Sequence, residues 1–354
     1  MLEPTLSNTP ITRKQTPPRK RSTFPFVALV AQESMKRALI LAAIDPGIGG
    51  VLLFGERGTG KSTAVRSLRE VLPDIESIEG CSFGCVLGEG NCPVENCTFR
   101  SEGKTVMVQR PLVDLPLGAT EDRLLGSIHL ESAIKTGERV FDPGLLAKAH
   151  RGILYIDEVN LLEDSLVDVL LDVLASKENI VEREGLSVKH PADIVLVGSC
   201  NPEEGELRPQ LLDRFGLAVF LQKEDSVEDR VEVVRRRLAF EDDPTEFVSR
   251  FLHQTDELRS RIVAAMQLLG TIVLPDSALE RASRICSTLQ LEGHRGELAL
   301  VRAARALVAF EGRSIVEPDD IDDVAVMCLL HRLRKAPFDP IAPETKIEEA
   351  LASL

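Results

Sequence analysis

A glycine-rich segment, GERGTGKS at residues 55–62, has the composition and spacing of a loop that binds phosphate groups. It lies between the apolar stretch VLLF and a segment with helical periodicity at 61–71, which is the context that such a loop requires. Its glycines let backbone amides turn toward phosphate oxygens, and the positive end of the helix adds to the attraction. Lys61 is expected to bridge the β- and γ-phosphates of a nucleotide, and Ser62 to ligate the accompanying Mg²⁺. The predicted nucleotide-binding residues are Gly55, Glu56, Arg57, Gly58, Thr59, Gly60, Lys61, Ser62 and Thr63.

A second motif, ILYIDE at 153–158, ends an apolar strand in two consecutive acids. Two carboxylates at the end of a buried strand are costly to desolvate unless they face a ligand. Because a phosphate loop lies upstream, we predict that Asp157 completes the Mg²⁺ site with Ser62. Glu158 is then placed to act as a general base that polarises the attacking water.

Three further polar residues are candidates for the same reaction. Asn201 follows the strand DIVLVGS at 193–199 and would reach the same edge of the sheet, where it could orient the water, although Asn-Pro is about as often a turn. The segment RPQLLDRFG at 208–216 supplies Arg208 and Arg214. Either arginine could stabilise the charge of hydrolysis in a neighbouring subunit's site, while an ordinary ion pair is the alternative role for both.

The order of the elements predicts how these motifs are brought together. From residue 48, short apolar strands alternate with helical stretches, which predicts an α/β fold with a doubly wound parallel sheet and helices on both faces. After residue 221 the periodicity is helical throughout. The strand candidates are 51–54, 75–78, 152–157, 193–199 and 217–221, and the later helix candidates are 226–239, 276–290, 294–310 and 318–334.

A chain of 354 residues predicts two domains. We expect a disordered basic leader at 1–23, an α/β nucleotide-binding domain at 24–240, and a helical domain with its linker at 241–354. Two segments interrupt the first domain, one near 80–104 and one near 178–192, and the second has the pattern of a β-hairpin.

Charge and hydropathy indicate which classes of partner the chain can bind. The formal net charge is −14, and the leader concentrates basic residues, so the rest of the chain is more acidic still. An acidic body with no Trp and one Tyr is a poor match for nucleic acid. The longest apolar run, at 38–44, is too short to cross a bilayer, so we expect no membrane insertion. The cytoplasm is the expected compartment, with the plastid stroma a weaker alternative.

Four of the seven cysteines lie close together. Their spacing, C-x3-C-x6-C-x4-C, is looser than the paired C-x2-C of common zinc sites. A structural metal is one reading, and free or redox-active thiols are the other. Metal analysis of the purified protein beside a Cys92→Ser form separates the two. The cysteines are Cys81, Cys85, Cys92 and Cys97.

The ordered set GERGTGKS, ILYIDE, VGSCN, LLDRFG and GHRGE resembles the AAA+ ATPases. Longer stretches resemble the I-subunit family of magnesium chelatases, and together they cover nearly everything after residue 24. These stretches are 25–62, 112–131, 141–162, 201–217 and 331–340.

The resemblance implies a P-loop AAA+ core followed by an all-helical lid domain. It implies subunits assembled in a ring, as a hexamer, with ATP between them, and Mg²⁺ insertion into protoporphyrin IX for chlorophyll or bacteriochlorophyll synthesis. A D subunit and a porphyrin-holding H subunit are the implied partners. The ATPase subunit of a cobalt chelatase and a related AAA+ remodelling ATPase are the alternatives.

The resemblance also implies roles for individual residues. Asn201 corresponds to the first sensor, Arg214 to an arginine finger that acts on a neighbouring subunit, and Arg295 in GHRGE to the second sensor. The segments near 80–104 and 178–192 correspond to insertions in the AAA+ core, which we expect to contact partners.

Overall fold

The structure, a computed structural model, describes residues 22–87, 103–128, 141–183, 186–205, 207–221, 226–333 and 342–354. The predicted leader lies almost entirely outside these ranges. The strands are β1 Gly50–Phe54, β2 Ile75–Ile78, β3 Thr105–Val108, β4 Leu112–Leu115, β5 Gly126–Ile128, β6 Phe141–Pro143, β7 Ile153–Ile156, β8 Glu178–Arg183, β9 Leu186–Pro191, β10 Val195–Cys200 and β11 Phe215–Phe220.

Helices surround the strands and make up the C-terminal part of the chain. The α-helices are α1 Glu33–Ile44, α2 Lys61–Val71, α3 Glu121–Leu125, α4 Leu145–Ala149, α5 Asp164–Ser176, α6 Pro209–Leu212, α7 Val227–Asp242, α8 Pro244–Arg250, α9 Leu252–Leu268, α10 Asp276–Thr288, α11 Arg295–Phe310, α12 Pro318–Leu329 and α13 Pro343–Ser353. Short 3-10 helices are Phe26–Ala28, Pro46–Ile48, Val159–Leu161, Pro202–Glu204, Leu269–Thr271 and Leu330–Arg332.

Five strands form the central sheet in the order β11-β1-β10-β7-β4. Every pairing in it is parallel. All residues of β7 and β10 are buried, as expected when helices cover both faces of a sheet. The predicted parallel sheet with flanking helices is therefore confirmed.

The prediction that strand 75–78 belongs to this sheet was wrong. Strand β2 pairs antiparallel with β3 in a separate two-stranded sheet. Glu76 is exposed between buried neighbours, as in a strand with one solvated face. The edge of the central sheet is instead β4, which pairs with β7 in the register Leu115↔Ile156.

A hairpin occupies the segment that was predicted to interrupt the first domain near 178–192. Strands β8 and β9 pair antiparallel, with Val181 opposite Val188. Both valines are buried, while Ile180, which precedes Val181 in sequence, is 54% exposed. The hairpin therefore presents one face to the body of the protein and one apolar side chain to solvent.

The helical part of the chain shares a hydrophobic core with one face of the sheet. This core joins Leu53 and Val219 of the sheet to α1, α2 and the apolar faces of α11 and α12. A second core covers the other face, where Leu52 and Leu154 pack with Leu170 of α5. None of the helices in the described ranges is both long and apolar enough to cross a membrane.

Polar contacts also attach the helical part to the amino end of β11. The Phe215 carbonyl accepts hydrogen bonds from His331 Nε2 (2.9 Å) and Arg332 Nη2 (2.9 Å). Arg332 Nη1 also donates to Asp213 Oδ1 (2.6 Å). His331 Nδ1 is buried, with no hydrogen-bond partner in the described part of the chain.

Buried His331 predicts a loss of stability in mild acid. Burial lowers the pKa of His331 to about 3, and a proton on Nδ1 would find no acceptor. The ordinary histidine pKa is about 6.5, so the unfolded chain binds the proton first and stability falls as the pH drops below that value. The loss is at most about 1.4 kcal/mol per pH unit for one histidine. His150 and His190, whose pKa values burial also lowers, contribute with the same sign.

Urea unfolding between about pH 7.5 and about pH 5 measures this dependence. We expect His331→Gln to reduce the slope, and His294→Gln, which changes an exposed histidine, to leave it unchanged. Equal slopes for His331→Gln and the unaltered chain would show that His331 is not buried in its neutral form.

Candidate functional site

The loop at 55–60 connects β1 to α2 at the carboxyl edge of the central sheet. Gly58 and Gly60 have φ angles of +86° and +82°, in the left-handed region that glycine adopts without steric cost. No heavy atom lies within 4 Å of where a Cβ would stand on either residue. The loop is thus open on one side, with the first turn of α2 directed at that space.

Lys61, the first residue of α2, directly follows the loop and is only 9% exposed. Its Nζ donates hydrogen bonds to the carbonyl oxygens of Gly55 (2.5 Å) and Glu56 (2.8 Å). Burial lowers the pKa of Lys61, and the nearby carboxylates of Asp157 and Glu158 oppose that shift. Phosphate oxygens are stronger acceptors for an ammonium group than neutral carbonyls, so the lysine is poised to exchange these partners for a phosphate.

Ser62 and Asp157 lie together next to the loop. Ser62 Oγ is 3.4 Å from Asp157 Oδ2. Tyr155 Oη is 3.0 Å from Ser62 Oγ and donates to Asp157 Oδ1 (3.0 Å), and Ser199 Oγ donates to the same oxygen. Burial raises the pKa of Tyr155 to about 12, which keeps the phenol a donor. A hydroxyl beside an oriented carboxylate fits the oxygen ligands that Mg²⁺ takes.

Glu158 and Asn201 follow neighbouring strands, β7 and β10. The Glu158 backbone has φ +55°, a left-handed conformation that is unusual for glutamate, and its N–H donates to Ser199 Oγ (3.0 Å). Asn201 is buried, and its Oδ1 accepts from the backbone N–H of Glu203 (3.3 Å). These contacts hold both residues at the carboxyl edge of the sheet, as the sequence indicated.

Arg57 projects from the phosphate-binding loop toward these residues. Its Nη2 forms ion pairs with Glu158 Oε1 (3.0 Å) and Glu204 Oε1 (2.8 Å). The guanidinium therefore joins the loop to the ends of two strands.

These side chains line one cavity of about 370 Å³. It contains a cationic loop on one side and carboxylate and amide groups on the other, which is the arrangement needed for a phosphate chain with a bound cation. The lining residues are Arg57, Gly58, Thr59, Gly60, Lys61, Ser62, Thr63, Asp157, Glu158, Ser199 and Asn201.

Arg214 and Arg295 lie elsewhere. Arg214 directly precedes β11, so it lies at the amino edge of the sheet, opposite the phosphate-binding loop. Both arginines line a different cavity of about 230 Å³, beside Gly50 at the start of β1. Arg295 also forms an ion pair with Asp213. Neither arginine lines the cavity at Lys61 in the same chain.

The two arginines of segment 208–216 have different surroundings. Arg208 forms ion pairs with Asp164 and with Asp168 (3.4 Å) on α5. Arg214 forms no ion pair with any residue in the described ranges. Arg214 is therefore the one whose guanidinium can bind an external anion without breaking an existing pair.

Sequence reasoning overlooked three side chains of the cavity region, Tyr155, Ser199 and Glu204. The period of a strand carried the signal for two of them, because Tyr155 lies two residues before Asp157 and Ser199 two before Asn201, on the same side of their strands. Glu204 had no local signal, since its contact with Arg57 joins distant parts of the chain.

The four-cysteine prediction falls partly on residues that the structure does not describe. Cys92 and Cys97 lie outside the described residues, whereas Cys81 and Cys85 are half-buried. Within the described ranges, no three or more His, Cys, Asp or Glu side chains gather as a metal site. The alternatives for this cluster therefore stand as predicted.

Burial raises the pKa of Cys200, near the nucleotide cavity, to about 11, so its thiol stays protonated at neutral pH.

Comparison with known families matches two parts of the chain. Residues 26–210 match the family model for magnesium chelatase, subunit ChlI. Residues 279–350 match the AAA lid domain. The first match covers more than half of the chain, and the second confirms the predicted helical lid.

Similar proteins extend the likeness to nearly the full length. The magnesium-chelatase 38 kDa subunit of Cereibacter sphaeroides is 52% identical over 94% of this chain and 99% of its own length. Subunit ChlI of Cyanidium caldarium is 48% identical over 94% and 95%, respectively. A magnesium-chelatase subunit ChlI homolog from Methanocaldococcus jannaschii is 49% identical over 90% and 87%.

Two solved structures also resemble this chain. A chain from the cryo-EM-based complex between subunits BchI and BchD of magnesium chelatase has 50% identity and a TM-score of 0.53, covering 94% of this chain and all of that one. A putative ATPase from Cytophaga hutchinsonii, with 18% identity, a TM-score of 0.60 and coverage of 93% and 92%, supports the fold alone. From the family match and the identities above, the chain belongs to the magnesium chelatase subunit ChlI family.

Proposed function

We propose that this chain is the ATP-hydrolysing motor subunit of magnesium chelatase, which drives Mg²⁺ insertion into protoporphyrin IX in chlorophyll or bacteriochlorophyll synthesis. One observation carries the proposal: in a chain of this family, a phosphate-binding loop, two carboxylates and a buried asparagine converge on one cavity. The bacterial cytoplasm is the proposed compartment.

The chain's own residues account for binding of MgATP. Backbone amides of the loop and Lys61 bind the phosphates, with Lys61 exchanging its carbonyl partners for oxygens of the β- and γ-phosphates. Ser62 and Asp157 would hold the Mg²⁺ that accompanies ATP, and an ion bound there would offset the charge of the phosphates. Tyr155 and Ser199 keep the Asp157 carboxylate oriented toward Ser62.

Hydrolysis follows from the position of Glu158 and Asn201. Glu158 accepts a proton from water as the water oxygen bonds to the γ-phosphorus and the bond from that phosphorus to the bridging oxygen breaks. Asn201 orients the water. Charge that develops on the departing ADP oxygen is offset by Lys61.

A second chain completes the site. Arg214 and Arg295 are at the amino edge of the sheet, so in a head-to-tail ring they would face the nucleotide of the adjacent subunit. Arg214, which forms no ion pair within the described part of the chain, is our candidate for the finger, and Arg295 for the second sensor. We propose a homo-oligomeric ring, a hexamer by family resemblance.

The Mg²⁺ that is inserted into porphyrin is substrate and need not contact this chain. We propose that ATP turnover changes the shape of the ring, and that a D subunit transmits the change to an H subunit that holds the porphyrin. The BchI–BchD complex among the similar structures supports the first of these contacts. Segments 80–104 and 178–192 are the proposed contact surfaces.

Reconstitution with D and H subunits tests the function. We expect ATP-dependent Mg²⁺ insertion into protoporphyrin, and we expect Lys61→Ala to abolish it because nucleotide is no longer held. The parallel arm supplies Co²⁺ and a hydrogenobyrinic substrate. Full chelation by Lys61→Ala, or a preference for the cobalt arm, would overturn the proposal.

Removing the Tyr155 hydroxyl should raise the Mg²⁺ concentration that ATPase activity requires. Tyr155→Phe removes the hydroxyl that contacts both Ser62 and Asp157 but keeps the ring in the core. Loss of a group that orients metal ligands costs about tenfold or more in metal affinity, so ATPase activity should require about tenfold more Mg²⁺. Ser67→Ala, which changes a buried hydroxyl on α2 that donates to the Ala64 carbonyl, is the control. An unchanged Mg²⁺ titration for Tyr155→Phe would disprove this role.

A further inference from the structure

Arg57 is the second cation of the nucleotide cavity, and its contacts differ in kind from those of Lys61. Lys61 is buried and bonds to loop carbonyls. The Arg57 side chain is 75% exposed, and its Nη2 is shared between Glu158 (3.0 Å) and Glu204 (2.8 Å). The guanidinium can therefore move on its side chain without disturbing the core.

The two acids that share Arg57 are more enclosed than Arg57 itself. The side chains of Glu158 and Glu204 are 24% and 22% exposed. Glu204 Oε2 is buried without a hydrogen-bond partner in the described chain, so Arg57 supplies the one charge pair observed for this carboxylate. Two enclosed carboxylates compete for one mobile cation, and a third anion would shift that balance.

The γ-phosphate is such an anion. In the proposed function, on which this inference rests, Glu158 activates the water that attacks the γ-phosphate, so its carboxylate lies within one water molecule of that group. The Arg57 guanidinium contacts the same carboxylate at 3.0 Å, and its long, exposed side chain gives it the reach to contact the γ-phosphate. In the proposed function the loop and Lys61 bind the β-phosphate, which is one phosphate unit farther from the attacking water than the γ-phosphate is. We therefore expect ADP to make no contact with the Arg57 guanidinium.

We propose that Arg57 distinguishes ATP from ADP. Without a γ-phosphate, Arg57 holds Glu158 beside Glu204. When ATP binds, the γ-phosphate draws the guanidinium away, which strengthens ATP binding and frees the Glu158 carboxylate to take the attacking water. Arg57 is thus a specificity-determining residue for the nucleotide, and Glu204 is the competitor that sets how readily Arg57 leaves.

The proposal predicts opposite effects for the two partners. Arg57→Gln removes a γ-phosphate contact, so the affinity for a non-hydrolysable ATP analogue relative to ADP should fall about tenfold, the size of a charge-assisted hydrogen bond. Glu204→Gln removes a competitor, so the same ratio should rise by about threefold or more. In both variants the affinity for ADP should change much less than the affinity for the ATP analogue, and Arg57→Lys should give an intermediate ratio.

Calorimetric titration with Mg²⁺ and each nucleotide measures the ratio, at a chain concentration where light scattering shows one assembly state for all variants. Glu203→Gln is the matched control, since Glu203 is the exposed acid beside Glu204. Arg66→Gln is the arginine control on α2, paired with Asp114 (3.6 Å). Both controls should keep the ratio of the unaltered chain.

The alternative outcomes separate the two proposals. If the ion pair is merely structural, Arg57→Gln and Glu204→Gln should weaken the binding of the ATP analogue and of ADP together. That result, or an unchanged affinity ratio in either variant, would overturn the role of Arg57 while the ATPase proposal stands. If the unaltered chain bound neither nucleotide, both proposals would fail.

Discussion

The parallel pairing of β1 with β10 on one side and β11 on the other is the constraint on which the rest of the structure depends. Parallel strands align all their carboxyl ends at one edge, so residues far apart in sequence meet there without specific contacts between their loops. Gly55, Asp157 and Asn201 each follow such a strand. The same pairing places Arg214, which precedes β11, at the opposite, amino edge of the sheet.

The separation of charges follows from this geometry. The carboxyl edge carries the cations that we propose bind phosphate, together with the acids that we propose act in hydrolysis. The amino edge carries arginines with few acids to neutralise them. Asp213 is paired with Arg295 and Arg332, so the helical lid and the segment that bears Arg214 are tied together. A movement of the lid would therefore shift Arg214, which is next to Asp213, and we propose this as the link between nucleotide state and subunit contacts.

Much of the site was predictable because its determinants are local. The glycines of 55–62 specify a turn, and a strand that ends in Asp157 and Glu158 specifies an acidic edge, with no need for distant partners. Strand β4 was missed because Asp114 interrupts its apolar run, and 75–78 was misassigned because a short strand does not encode which sheet it joins. The Arg57–Glu204 pair depends on strand order, which no local pattern contains.

The central claim is that one chain holds an incomplete site and that hydrolysis requires the amino edge of a neighbour. Mixing Arg214→Ala subunits with Glu158→Gln subunits tests it most directly, because each variant alone lacks one necessary group at every interface. In rings assembled at random from equal amounts, roughly a quarter of the interfaces regain both groups. The account predicts that ATP turnover, absent in each variant alone, returns in part on mixing. No recovery, in rings shown to contain both variants, would contradict it.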